Sequence, residues 1–209
     1  GNGKDQVTVM VYLCGTDLES EYGMATSDLK EMLAADLSDN VNVIVQTGGA
    51  SKWKNNVVSS SKLQRYQLVD GKLKSLDELS SKSMTSPDTL SSFIKYCEKN
   101  FPADRNFLIL WDHGGGTLSG YGYDEKFESS GSMTLDKLND ALSDAGCKFD
   151  FIGFDACLMA TFETAIVANE YADYLVASEE LEPGTGWYYT GWLDLISKNT
   201  STPTVDVAK

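Results

Sequence analysis

The feature that most constrains this chain is a set of short, β-branched apolar runs: Val7–Cys14, Val41–Gln46, Asn106–Trp111, Phe149–Ala156 and Tyr174–Ala177. Each is bounded by Gly, Asp, Asn or Ser, and each reads as a buried strand. Between them lie segments of helical period, Ser20–Leu37, Pro87–Lys99, Thr134–Ala145, Cys157–Glu170 and Thr190–Lys198. The third has Thr134 as an N-terminal cap, Asp136 in its first turn, Leu135, Leu138 and Leu142 on one face, and Gly146 to end it. Strand and helix alternate. That order predicts an α/β fold, a three-layer α/β/α sandwich around a mostly parallel central sheet, with ligand sites beyond the carboxyl ends of the strands.

Two stretches are less regular. Ser51–Ser83 holds a hairpin pattern, Lys62–Val69 and Lys72–Leu73 around the turn Asp70-Gly71, among Ser- and Lys-rich loops. Gly114–Ser132 is a long Gly- and Ser-rich connection, which a compact domain carries when the segment is mobile, disordered or part of a site. No repeat or second domain boundary is evident, so residues 1–209 read as one domain, with Ser201–Lys209 a tail.

Composition narrows the function. With 42% hydrophobic and 11% aromatic residues and four prolines in 209, the chain has the means for a core. Seventeen Lys and Arg against 31 Asp and Glu give a net charge of −14, and the basic residues are scattered. Nucleic acid is thereby a poor partner, and a cationic ligand a better one. No apolar run reaches the ~18–20 residues of a membrane span. The four cysteines, Cys14, Cys97, Cys147 and Cys157, form no CxxC pair, and with one histidine they make no zinc framework. They are expected to be free thiols.

Two strand ends carry chemistry. Phe149–Ala156 delivers Cys157 at the point where a helix is predicted to start, and a helix N-terminus favours thiolate. Asn106–Trp111 runs through Asp112 into the chain's single histidine, His113, followed by Gly114-Gly115-Gly116. An imidazole moves protons near neutral pH, and glycines let backbone N–H groups approach a carbonyl.

At these residues the sequence resembles the clostripain-like cysteine peptidases, family C11 of clan CD, related in fold to caspases, legumain, gingipains and separase. The similarity runs through Val9–Leu13 and Asp17, Trp111-Asp112-His113-Gly114-Gly115-Gly116, Gly153–Ala160, Tyr171–Glu180 and Pro183-Gly184-Thr185-Gly186-Trp187. It implies a caspase-like fold and a thiol endopeptidase whose dyad is His113 and Cys157, with the backbone N–H groups of Cys157 and Gly114 as oxyanion donors. It further implies an acidic pocket for Arg or Lys at P1, where Asp155 matches the pocket position and Ser178, Glu179 and Glu180 follow on the next strand.

The resemblance also implies a precursor cut after a basic residue, for which Lys126 and Lys209 are candidates. A further C-terminal segment of the same precursor is expected to stay associated, so the domain is expected to be incomplete at Lys209. Location outside the cytoplasm, in a bacterium, is the family's habit. No cofactor is required. Some relatives use calcium, and Asp17, Glu19 and Glu21 offer hard oxygens, but they lack an EF-hand pattern and read as a charge cluster at a helix start. A competing reading keeps the fold without the chemistry, as a non-catalytic caspase-like binding domain. Serine hydrolase and nucleotide-binding readings fail for want of G-x-S-x-G, G-x-G-x-x-G or G-x-x-x-x-G-K-[ST].

Overall fold

The computed structural model describes residues 5–112, 123–155, 171–177 and 189–201. Among them, seven strands form one sheet: β1 (Val7–Cys14), β2 (Val41–Gly48), β3 (Lys62–Val69), β4 (Lys72–Ser80), β5 (Arg105–Trp111), β6 (Phe149–Asp155) and β7 (Ala172–Ala177). Their order is β4-β3-β2-β1-β5-β6-β7. Strands β2, β1, β5, β6 and β7 run parallel, and the β3–β4 hairpin adds an antiparallel edge. The helices described are α1 (Thr16–Ser20), α2 (Met24–Leu33), α3 (Pro87–Asn100), α4 (Leu135–Ala145) and α5 (Tyr189–Lys198), with a 3-10 turn at Glu128–Ser130.

Strand β1 shows why the sheet sits in the middle. All eight of its residues are buried. Val7, Val9, Val11 and Leu13 join a core with Leu29 and Met32 of α2 and Leu193 and Ile196 of α5. Met10, Tyr12 and Cys14 join the opposite core with Phe93 and Ile94 of α3 and Leu138 and Leu142 of α4. Successive strand residues point to opposite faces, so a strand covered on both sides must be apolar throughout. Each such side chain stabilises the fold by roughly 1.5–3 kcal/mol when fully buried. This is the predicted α/β/α arrangement, mostly parallel at its centre.

Helix α3 illustrates the local logic. Pro87 occupies its first turn, where a missing N–H costs nothing, and Leu90, Phe93, Ile94 and Cys97 recur on the one face that is buried. In α4, Thr134 caps as predicted: its hydroxyl accepts from the Lys137 N–H at 3.3 Å.

Three expectations need correction. Ser20–Leu37 is not one helix: α1 begins earlier, at Thr16, and α2 runs only from Met24 to Leu33. Gly23 separates them at φ 66°, a left-handed conformation that a helix interior does not contain. The second arm of the hairpin extends to Ser80, well past Leu73. Its register against β3 shifts between Arg65 and Tyr66, where Tyr66 faces Ser75 and Arg65 faces Asp77. Leu76 is the extra residue, and beyond it Leu79 packs on the opposite core from Leu73. Such a bulge hides the period of two that identifies a strand. Strand β7 begins at Ala172 rather than Tyr174. The helix predicted over Cys157–Glu170 lies outside the described residues.

Candidate functional site

The carboxyl ends of β1, β5 and β6 are neighbours. Leu13 faces Trp111 across β1 and β5, and Trp111 faces Asp155 across β5 and β6. Asp155 is thus placed as the last residue of β6, beside the last residue of β5. On β7, Ala177 comes level with Phe154. His113, Gly114, Cys157, Ser178 and Glu179 lie outside the described residues, as do Glu180 and Lys209. Each nevertheless follows in sequence from an end of this same edge, apart from Lys209.

The base of the edge is held firmly. The Trp111 indole N–H donates to Asp28 Oδ2 of α2 at 2.6 Å, and both side chains are buried. A hydrogen bond onto a buried carboxylate is charge-assisted and short, and it ties the end of β5 to the helix layer. Asp112, 1% exposed, accepts the Tyr123 N–H at 3.3 Å. After β1 the chain turns sharply. Thr16 takes φ 55°, an outlier for a β-branched residue, with its N–H on Gly49 O and its hydroxyl accepting the Leu18 N–H.

Among the predicted free thiols, Cys14, Cys97 and Cys147 are unbridged and buried. Burial pushes all three thiols up, and for Cys14 the carboxylates of Asp112 and Asp124 add to the effect. The protonated form of each is therefore favoured, the reverse of what a nucleophile needs.

Glu19, read from sequence as part of a charge cluster with Asp17 and Glu21, is fully buried. One carboxylate oxygen accepts the Thr26 N–H at 2.8 Å; the other accepts the Thr26 hydroxyl at 2.8 Å and the Lys54 N–H at 3.3 Å. Thr26 is the third residue of α2, so Glu19 serves as the cap that Gly23, lacking a side chain, cannot supply. Among the described residues no group of three or more His, Cys, Asp and Glu is arranged to hold a metal.

Sequence reasoning also missed the role of Tyr123–Lys126, inside the long connection after the histidine. Asp124 is fully buried, its carboxylate accepting the Met84 and Lys126 N–H groups at 2.8 Å each. Glu125 accepts from Ser20 Oγ at 2.8 Å and from the Ser51 N–H at 2.7 Å. Nothing in the string Tyr-Asp-Glu-Lys marks such anchoring. Lys126 is exposed, its ammonium bonded to Ser60 O and Ser81 Oγ.

The comparisons with known proteins agree with this architecture. The model of the clostripain family, peptidase C11, matches residues 11–209. Clostripain of Hathewaya histolytica is 28% identical over 97% of this chain and 44% of its own length. The X-ray structure of a secreted C11 cysteine protease from Bacteroides thetaiotaomicron, in complex with an irreversible peptide inhibitor, superposes with a TM-score of 0.74 at 25% identity. It is covered over 56% of its length by 97% of this chain. An inactive zymogen C11 protease from Parabacteroides distasonis gives 0.69 at 25% identity, with 93% of this chain and 54% of that one covered. The chain spans about half the length of the relatives it matches. With the family pattern running through nearly all of its residues and the fold superposing on a solved member, the chain belongs to the clostripain family, peptidase C11.

Proposed function

We propose that this chain carries the catalytic machinery of a cysteine endopeptidase that cleaves after Arg or Lys. The observation that carries the reading is the pairing of Trp111 with Asp155. In the sequence, His113 stands two residues past Trp111 and Cys157 two residues past Asp155. The two parallel strands that lead into the imidazole and the thiol thus end side by side, which supports the dyad. The three described cysteines are buried, and burial pushes their thiols up, which supports Cys157 as the nucleophile.

In this mechanism the Cys157 thiolate attacks the scissile carbonyl. The Cys157 and Gly114 N–H groups hold the oxyanion, a donor pair of a kind whose members are each worth ~2.7–4 kcal/mol. His113 gives its proton to the leaving amine, and water then hydrolyses the acyl-enzyme. Thiolate and imidazole suffice for these steps, so the reading calls for no metal. Asp155, with Ser178 and Glu179 beyond β7, would line the S1 pocket, where a carboxylate pairs with a guanidinium or ammonium. A chain of charge −14 suits a cationic substrate.

Maturation by a cut after Lys126 fits an exposed lysine in the connection after β5. A C-terminal segment of the same precursor is the proposed partner, since the relatives are about twice as long. Secretion is proposed from the neighbour described as secreted. The test is hydrolysis of lysyl and arginyl fluorogenic amides by the full-length protein. Activity that vanishes in Cys157→Ala and His113→Ala supports the proposal; a correctly processed, folded and inert wild type would leave the binding-domain reading instead.

A further inference from the structure

The segment Tyr123–Lys126 crosses the carboxyl edge and is bonded to each element it passes. Its first residue donates its N–H to Asp112 at 3.3 Å, while the Tyr123 carbonyl receives the Cys14 thiol at 3.4 Å. The buried Asp124 carboxylate takes the Met84 N–H at 2.8 Å. Glu125 donates its N–H to Gly49 O at 3.0 Å, and its carboxylate spans Ser20 Oγ and the Ser51 N–H. These contacts reach the end of β1, the loop after β2, α1 and the loop before α3 as well as the residue that follows β5.

Past Lys126 the picture changes. The 3-10 turn Glu128–Ser130 and Gly131 are exposed, and the backbone bonds there run only to residues of the same turn. Across the Lys126–Phe127 bond the Phe127 N–H reaches back to Asp124, to its carbonyl at 3.0 Å and to its carboxylate as well. Almost everything that holds the segment therefore lies on the amino side of the bond.

We propose that Tyr123–Lys126 is a strap that stays docked on the sheet edge when the Lys126–Phe127 bond is cut, with Glu125 its anchor and the Asp112 end of β5 the element it positions. The inference rests on the maturation reading for the cut itself. Hydrolysis adds one water across the bond, leaving a carboxylate on Lys126 and an amine on Phe127, and releases the Phe127 N–H from Asp124. Asp112 immediately precedes the proposed base His113, so the strap bears on catalysis by holding the strand from which the imidazole departs. Glu125 is a positioning residue, out of contact with the reacting atoms.

Two measurements test this. In the full-length precursor carrying Cys157→Ala, a recognition sequence for an unrelated protease is inserted between Lys126 and Phe127. Hydrogen exchange at the Glu125 amide is then followed before and after that protease cuts. Protection within about tenfold of the uncut value is expected; exchange at free-peptide rates overturns the proposal.

In the active enzyme, Glu125→Ala is expected to lower kcat several-fold with KM unchanged. Glu125→Gln is expected to restore it, because an amide can accept from the Ser51 N–H and donate to Ser20 Oγ. Unchanged kcat in Glu125→Ala, or a loss confined to KM, overturns the positioning role. Intact masses of the self-processed chains report separately on whether the natural cut follows Lys126, so a failure of that reading is distinguishable from a failure of docking.

Discussion

Trp111 and Asp155 stand opposite one another as the last residues of two adjacent parallel strands, and Trp111 is further bonded through its indole to the buried Asp28. In the sequence the proposed base His113 follows two residues after Trp111, and the proposed nucleophile Cys157 two residues after Asp155. Asp28→Ala would leave the indole N–H without its charged acceptor in the interior. We expect a loss of roughly 1.5–3 kcal/mol, read from the urea midpoint, and a fall in kcat as the end of β5 loosens.

Covalent labelling tests the nucleophile. A lysyl chloromethyl ketone at neutral pH is expected to add once, at Cys157, and not at all in Cys157→Ala. Peptide mapping that finds the label on Cys14, Cys97 or Cys147 would overturn the assignment, since burial holds those thiols protonated. The same shifts set a pH dependence. A thiol whose pKa is raised by folding binds its proton more tightly folded than unfolded. Stability is therefore full at neutral pH and falls as pH rises past the unfolded thiol value of ~8.5. Thermal melts in Cys14→Ala should show a shallower alkaline decline than the parent.

For specificity, Asp155→Asn keeps the shape of the side chain and removes its charge. The kcat/KM for basic P1 substrates should fall ~10-fold or more, because a desolvated cation loses its partner. Equal kinetics in the two proteins would take Asp155 out of the S1 pocket.

Glu19→Ala removes an acceptor used by two backbone N–H groups and a hydroxyl in a fully buried place. Each buried donor left unsatisfied costs about 1–3 kcal/mol. A destabilisation above about 2 kcal/mol is expected by denaturant titration. Fraying should begin at the start of α2, visible as faster amide exchange at Thr26.

Gly49 adopts φ 76°, and a Cβ there would come within 2.2 Å of the Cys14 sulfur. Gly49→Ala should therefore destabilise the protein by about 1–3 kcal/mol through overcrowding, with the strained backbone adding to it. Adding Cys14→Ala should recover the part due to the sulfur and leave the part due to φ. Strictly additive effects in the double variant would show that the two residues do not clash.

The layered fold was legible in the chain because a strand covered on both faces must be largely apolar, and Val7–Cys14 and Asn106–Trp111 advertise that requirement along most of their length. Helix α3 was equally legible from Pro87 and its apolar period. Where a local irregularity intervened, the period failed: Gly23 split one predicted helix, and the strand interrupted by the bulge at Leu76 was read only as far as Leu73.

The sequence by itself determined which chemistry-bearing residues follow which strands, His113 after β5 and Cys157 after β6. Which strands are neighbours, and at what level, was a tertiary decision. Parallel strands pair through crossovers, so nothing local records that Trp111 meets Asp155. The same holds for Glu19, which reads from the sequence as part of a charge cluster at a helix start, and for Glu125, which carries no local signal. Burial against N–H groups from distant parts of the chain, such as Lys54 and Ser51, turned them into anchors. A carboxylate's role depends on which unsatisfied donors the fold brings to it, and those donors are assembled only when the sheet and its loops come together.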